Sequence, residues 1–217
     1  MKKNYQKELD KIIEENAKTG RIPRLLLHAC CAPCSSYVLE YLSDYFEITV
    51  FFYNPNISPK EEYTKRAEEI RRLVETMEFL HPVHLLEGAY EPEKFYEMAR
   101  GLEQVPEGGE RCFGCYRLRL QEAARTAAEG GFDYFATTLT ISPLKNVEKL
   151  NEIGEALSPL YEVAHLPSDF KKKNGYKRSI ELSHEYGLYR QDYCGCVFSK
   201  KQREEEKALQ NVKNVIH

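Results

Sequence analysis

The sequence predicts an α/β protein with a parallel, five-stranded Rossmann-like sheet and helices on both faces. Short apolar runs alternate with amphipathic stretches of helical length, which is typical of βαβ units. The runs are continuously apolar, as expected of strands that are buried on both sides. At 217 residues, with 42% hydrophobic and 30% charged residues, the chain is expected to form one domain over 1–217.

The elements follow one another along the whole chain. Helices are predicted over residues 4–18, 35–43, 58–77, 91–99, 116–128, 146–157, 180–187 and 199–213. Strands are predicted over residues 24–29, 48–53, 83–86, 132–138 and 161–165. The domain then divides into an N-terminal helix (1–20), a core sheet (21–165) and a C-terminal part (166–217) with a basic loop, a Cys-Gly-Cys turn and a helix.

Local signals support the element boundaries. Gly20 follows the first helical pattern as a stop signal. Ser35 or Ser36 is a candidate cap of the second helix, and Ser58 with Pro59 opens the third. Three glycines and a proline in residues 101–111 predict a loop before the fifth helix.

Composition limits the classes of function. The net charge is −3, so any RNA contact must come from a local basic patch. No run of 18 apolar residues predicts a membrane span, and the charged N-terminus lacks the apolar segment of a signal peptide. We therefore expect a cytoplasmic protein with no membrane partner, whose thiols serve metal binding or redox chemistry rather than structural disulfides.

Seven cysteines form three tight groups. They are Cys30, Cys31 and Cys34 after the first strand, Cys112 and Cys115 after the glycine-rich loop, and Cys194 and Cys196 near the C-terminus. In a parallel sheet, ligands bind beyond the carboxyl ends of the strands, which is where the first strand delivers its thiols. We expect the three groups to meet there and hold a redox metal centre.

The spacing allows two kinds of metal site. Two Cys-x-x-Cys pairs, Cys31 with Cys34 and Cys112 with Cys115, permit a four-thiolate zinc site. The adjacent pair Cys30 and Cys31 is awkward on one tetrahedral zinc but can ligate two irons of one cluster. A [4Fe–4S] cluster on Cys30, Cys31, Cys112 and Cys115 therefore fits better.

Cys194 and Cys196 flank a single glycine. A disulfide between them closes a very small ring, and strained disulfides are typically redox-active rather than structural. Lys200 and Lys201 lie close in sequence and favour the thiolate forms.

Polar and basic residues are candidates for substrate contacts. The basic stretch that carries Lys171, Lys172 and Arg178 is interleaved with Phe170 and Tyr176, a mixture that can bind RNA phosphates and stack on bases. Polar residues at strand ends are candidates for contacting the reacting group: Tyr53, Asn54, Asn56, Thr138, Ser142 and Lys145.

Six motifs make the sequence resemble the epoxyqueuosine reductase family of the QueH type. They are LLHACCAPCS at 26–35, FYNPNI at 52–57 with Glu62, Tyr63 and Arg66, RCFGCYRLRL at 111–120, TTLTISPLKN at 137–146, DFKKKNGYKRS at 169–179 and YRQDYCGCVFS at 189–199. They span nearly the whole chain and include all seven cysteines. The resemblance implies reduction of the epoxide of epoxyqueuosine, at the wobble position of tRNA, to an alkene.

The resemblance also implies roles for the thiols. The family's cluster ligands fall on Cys30, Cys31, Cys112 and Cys115, and its redox-active pair falls on Cys194 and Cys196. Cys34 remains without an assigned role, and we expect it to bind an additional iron ion or the substrate oxygen beside the cluster. An electron donor is required, and the sequence does not identify it.

The fold further resembles the HUP class, which includes the PP-loop ATPases that modify tRNA. The turn after the first strand corresponds to their phosphate loop but reads CCAPCSS and lacks the SGG-x-DS pattern. The sequence therefore argues against the first alternative, a PP-loop-like tRNA thiolation enzyme. The second alternative, a zinc-stabilised RNA-binding module, predicts that Cys194 and Cys196 are dispensable.

Overall fold

The computed structural model describes residues 3–215, with side chains up to residue 210, so residues 1–2 and 216–217 of the predicted domain lie outside it. The helices are α1 (Tyr5–Thr19), α2 (Ala32–Leu42), α3 (Lys60–Thr76), α4 (Pro92–Ala99), α5 (Glu110–Glu129), α6 (Val147–Tyr161), α7 (Gly175–Glu185) and α8 (Val197–Val215). The strands are β1 (Arg24–His28), β2 (Glu47–Phe52), β3 (Val83–Glu87), β4 (Tyr134–Thr137) and β5 (Ala164–His165).

The five strands form one parallel sheet in the order β3-β2-β1-β4-β5. One apolar core packs α1, α2, α3 and α7 against one face, and a second packs α5 and α6 against the other. The predicted α/β class with helices on both faces is confirmed. β1 lies at the centre of the sheet, so the residues that follow it lie at the middle of the carboxyl edge. No helix within residues 3–215 is long and apolar enough to cross a bilayer.

Several predicted boundaries are wrong. The second helix begins at Ala32 rather than after Ser35 or Ser36, with Cys31 as its N-cap and Pro33 in its first turn. Pro59, not Ser58, is the N-cap of α3. Proline and cysteine gave no sequence signal for a cap, although proline suits a first turn because its missing N–H would be unpaired there anyway.

Helices α5 and α7 also begin earlier than predicted. The helix expected from residue 116 starts at Glu110, so Cys112 and Cys115 lie in its first two turns instead of on a loop. The basic stretch at 168–179, expected to be a loop or a short helix, becomes helical at Gly175. In both cases a glycine close to the helix start lowers the intrinsic helix propensity, so the sequence does not predict the helical turn that tertiary packing stabilises.

Gly175 allows α7 to approach α2 closely. A Cβ atom at this position would collide with the carbonyl oxygen of Phe170 and with the ring of Tyr37 on α2. We expect Gly175→Ala to lower the free energy of unfolding by about 1–3 kcal/mol, because the backbone at Phe170 cannot move aside cheaply. Urea unfolding checks this. Lys177→Ala, at an exposed position of α7, should change stability by less than about 0.5 kcal/mol, and equal effects would contradict the packing explanation.

Candidate metal and substrate site

The first cysteine group lies where β1 passes into α2. Cys31 caps the helix and Cys34 follows in its first turn. The Sγ atoms of Cys30 and Cys31 are 3.6 Å apart, and those of all three cysteines lie within 4.8 Å of one another. Three soft sulfur ligands at this distance form a group that can bind a metal ion.

Of the three thiols, Cys31 loses its proton most easily. Hydrogen bonds from Cys30 and Cys34 hold the pKa of Cys31 well below its usual value, although the side chain is only 3% exposed. The same hydrogen bond raises the pKa of Cys30 to about 11, and the bonds to both neighbours raise the pKa of Cys34. The N-terminus of α2 and the guanidinium of Arg66 add positive potential at Cys31.

The second group is placed by α5. Cys112 and Cys115 line a small buried cavity together with Cys194 and Cys196. Burial raises the pKa of Cys115 to about 12 and also raises the pKa of Cys112. These thiols are therefore protonated unless a bound metal displaces the protons.

The Cys-Gly-Cys turn joins the two groups, because Cys194 lines this small cavity and also the larger one beside Cys30, Cys31 and Cys34. Gly195 has φ +121°, a conformation that requires glycine, and its carbonyl accepts a 3.0 Å hydrogen bond from the Ser58 amide. The Cys194 carbonyl accepts a 3.1 Å hydrogen bond from Arg66. The turn is thus fixed to α3 and to the loop before it.

The larger cavity has a volume of about 280 Å³ and opens to the surface. Its lining includes Lys145, whose Nζ forms a 2.7 Å ion pair with Glu107. Burial would lower the pKa of Lys145, but the attraction of Cys194 and Glu107 outweighs it and raises the pKa above its usual value. Lys145 therefore places a fixed positive charge beside the thiols. Ser142 lines the same cavity.

Two buried arginines lie beside the thiols. Arg66 pairs with Glu62 at 2.7 Å. Arg119 is 1% exposed, and its Nε donates to the carbonyl of Cys115 at 3.2 Å. Among the described side chains, no carboxylate pairs with Arg119. A buried charge is costly without a counter-charge, and the nearby groups that could supply one, on losing their protons, are the thiols Cys115, Cys194 and Cys30.

Unpartnered polar atoms surround the smaller cavity. Asn56 is 1% exposed, and neither polar atom of its amide has a hydrogen-bond partner; the hydroxyl of Tyr116 and Nη2 of Arg119 also lack one. All three residues line this cavity with four thiols. Buried polar groups are nearly always hydrogen-bonded. Donors, a guanidinium and soft thiol ligands together fit an anionic metal–sulfur group.

Three of the other predicted contact residues do not line either cavity. Asn54 is buried and donates to the carbonyl of Ala29 at 2.8 Å, so it supports the turn after β1. Tyr53 and Thr138 are also buried and do not line either cavity. His28 is a buried core residue whose ring nitrogens contact Thr137 and the carbonyl of Tyr53.

The basic stretch does not line the cavity, apart from Tyr176 and Ser179. Phe170 is fully buried in the apolar core, so the expectation that it interleaves with basic residues for stacking is wrong. Arg178 pairs with Glu40 at 2.6 Å and lies 3.4 Å from Glu181. Lys171 is half-buried near Asp169, and Lys172 is exposed.

No sequence pattern assigns a role to Arg119 or Glu107, and Arg66 stands out only as part of a motif. A signal for Arg119 was present: Tyr116, Arg119, Leu120 and Ala123 share the buried stripe of α5. An arginine on such a stripe implies a buried partner for its charge.

The sequence comparisons with known proteins agree with one another. A family model described as "Epoxyqueuosine reductase QueH" matches residues 25–202. Epoxyqueuosine reductase QueH of Staphylococcus epidermidis is 48% identical over 200 residues, which cover 90% of this chain and 84% of that protein. The protein of the same name from Streptococcus pyogenes is 46% identical over 91% of this chain and 78% of its own length.

A more distant relative, Epoxyqueuosine reductase QueH of Thermotoga maritima, is 35% identical over 85% of this chain and 94% of its own length. Among solved structures, a predicted tRNA methyltransferase subunit from Methanocaldococcus jannaschii aligns over 74% of this chain and 76% of its own, with 10% identity and a TM-score of 0.44. The family match and the sequence identities decide the assignment: the chain belongs to the epoxyqueuosine reductase QueH family.

Proposed function

We propose that the protein reduces epoxyqueuosine in tRNA to queuosine, the last step in forming this nucleoside. The observation that carries the proposal is the meeting of all three cysteine groups around two adjoining cavities, in a chain of this family. In the reaction the epoxide takes up two electrons and two protons, both C–O bonds break, an alkene forms, and the oxygen leaves as water. The partners are tRNA carrying epoxyqueuosine at the wobble position and an external electron donor.

The thiols would hold the cofactor. Cys30, Cys31, Cys112 and Cys115 are the proposed ligands of a [4Fe–4S] cluster, and Cys34 is the proposed ligand of an additional iron ion. When bound, such centres supply single electrons and Lewis acidity. The donor set supports this proposal, because thiolates select soft metals and iron–sulfur clusters.

The other residues would prepare the site for the substrate. Lys145, held by Glu107, donates a hydrogen bond to the departing oxygen from the wall of the larger cavity. Cys194 and Cys196 are the proposed redox-active pair, which passes electrons from the donor as two thiols become a disulfide. Cys194 lines the larger cavity and is the more exposed of the two thiols, whereas Cys196 is buried, so the external donor would reach the disulfide at Cys194. A reducing cytoplasm would return the pair to its dithiol form.

We expect protein purified without oxygen to be brown, with absorbance near 400 nm that dithionite bleaches. Nucleoside analysis of tRNA incubated with the protein and reductant should show loss of epoxyqueuosine and gain of queuosine. Iron and sulfide analysis should give about four of each per chain, with further iron if Cys34 holds an additional ion. Colourless, zinc-loaded protein without turnover would favour the RNA-binding module, and a strict requirement for ATP would favour thiolation.

A further inference from the structure

We propose that the rim of the larger cavity, formed by Leu144, Tyr176 and Arg190, binds the single-stranded RNA nucleotides next to the nucleoside that enters the cavity. Tyr176 stacks on a neighbouring base, Leu144 packs against the same nucleotide, and Arg190 binds a backbone phosphate. This inference rests on the proposed function, because it takes the occupant of the cavity to be a nucleoside within RNA.

Two large apolar side chains are exposed at the mouth of the cavity. Leu144 is 70% exposed and Tyr176 is 38% exposed, and both line the cavity that contains Cys30, Cys34 and Cys194. Aromatic and apolar side chains beside a pocket are what unstacked RNA bases bind. A nucleoside whose ring reaches the thiols leaves its neighbours in the RNA strand at this rim.

Arg190 contacts the face of α7 on which Tyr176 lies. Ser179 donates to the carbonyl of Tyr176 at 2.7 Å, and Ser183 lies on the same face and donates to the carbonyl of Ser179. Nη1 of Arg190 donates to Oγ of Ser183 at 2.9 Å. The guanidinium is therefore held against the helix one to two turns from the tyrosine.

The charge of Arg190 is not neutralised. Its hydrogen-bond partners are a neutral hydroxyl and a carbonyl oxygen, and no described carboxylate pairs with it. The other arginine at this cavity mouth, Arg203, is near Asp192 and Glu206. An exposed, unpaired guanidinium beside a stacking surface is suited to a phosphate group.

The basic stretch before the rim is less suited to this role. Three of its five cations are engaged: Lys173 pairs with Asp10 at 2.8 Å, Arg178 pairs with Glu40 at 2.6 Å, and Lys171 lies 3.8 Å from Asp169. A phosphate bound to one of these would cost an existing ion pair, and the other two, Lys172 and Lys177, do not line the cavity. Arg190 lines the cavity and has no described carboxylate partner to give up.

The test measures binding of the metal-loaded full-length protein to a fluorescent anticodon stem-loop RNA with an unmodified guanosine at the wobble position, over a series of salt concentrations. We expect Tyr176→Ala to weaken binding roughly tenfold or more, with an unchanged salt dependence. We expect Arg190→Gln to reduce the slope of log K against log salt concentration by about 0.7, the value for one single-strand phosphate contact.

Two variants away from the rim are matched controls. Tyr96→Ala removes another exposed tyrosine, and Arg117→Gln removes another exposed arginine; neither residue lines the cavity. Both should bind RNA like the unaltered protein. Urea unfolding midpoints establish that all four variants are folded.

Equal affinities of Tyr176→Ala and Tyr96→Ala, an unchanged salt slope in Arg190→Gln, or no RNA binding by the unaltered protein would each overturn the inference. The outcome is separable from that of the proposed function, since the binding assay involves no turnover. A protein that reduces epoxyqueuosine in tRNA while its rim variants bind normally would contradict the rim alone. Absence of reduction together with rim-dependent binding would contradict the reductase proposal alone.

Discussion

Cys31→Ser is expected to abolish metal binding at the first cysteine group and to reduce epoxyqueuosine reduction by at least about 100-fold. Removing residues that merely support metal ligands commonly costs 10–100-fold, and Cys31 is a proposed ligand itself. It also carries the most stabilised thiolate of the group, at the N-terminus of α2 and close to Arg66. A serine hydroxyl is a hard, protonated replacement that soft metals bind poorly.

The measurement is iron and sulfide content together with absorbance near 400 nm after anaerobic reconstitution. Serine is almost the same size as cysteine, so the apoprotein should keep its secondary structure by circular dichroism. Full iron content and normal turnover in Cys31→Ser would contradict the assignment of this thiol as a ligand.

Cys34→Ser is the informative companion variant. If the cluster uses Cys30, Cys31, Cys112 and Cys115, then Cys34→Ser should keep the 400 nm band and lose any additional iron and turnover. The Sγ atoms of Cys30, Cys31 and Cys34 lie within 4.8 Å of one another, which also permits a single metal on these three. In that case Cys34→Ser should lose as much metal as Cys31→Ser does.

The sequence predicted the sheet well because its signals are local. Continuous apolar runs give β1, β2 and β4, and the alternation with helices gives parallel pairing. The position of Cys30 and Cys31 beyond β1 follows from that topology. The helix starts at Ala32 and Glu110 were missed, since the side chains of the N-cap residues Cys31 and Gly109 make no capping hydrogen bond that a sequence pattern would reveal.

The surroundings of the thiols depended on long-range packing. Arg66 reaches the Cys194 carbonyl across 128 positions of sequence, and Lys145 pairs with Glu107 across 38. No local pattern encodes such pairs. The basic stretch shows that residues close in sequence can have different surroundings. Phe170 lies in the apolar core, whereas Tyr176, six positions later, lies at the rim of the cavity.

Arg119→Met is expected to have opposite effects on the apoprotein and on the metal-loaded protein. Without metal, most of the nearby thiols are protonated, so Arg119 is a buried charge without a counter-charge. Replacing it with an apolar side chain of similar length should raise the free energy of unfolding of the apoprotein by about 1–4 kcal/mol. Urea unfolding with chelator present measures this change.

With an anionic metal–sulfur group bound, the same substitution should lower the reduction potential. Reduction adds negative charge, which a nearby guanidinium stabilises. One unit charge at about 6 Å and an effective dielectric near 20 is worth about 3 kcal/mol, or on the order of 100 mV for one electron. Arg119→Lys keeps the charge and should retain most of the potential. Spectroelectrochemical titration of the 400 nm band distinguishes the two variants.

Arg66 supplies the matched control, because it is equally buried but already pairs with Glu62 at 2.7 Å. Arg66→Met leaves that carboxylate without its partner, so the apoprotein should lose roughly 3 kcal/mol of stability, opposite in sign to Arg119→Met. If both variants destabilise the apoprotein alike and Arg119→Met leaves the potential unchanged, Arg119 serves packing only. A stabilised apoprotein with a lowered potential would instead mean that this arginine is retained for the bound group, at a cost to the fold without it.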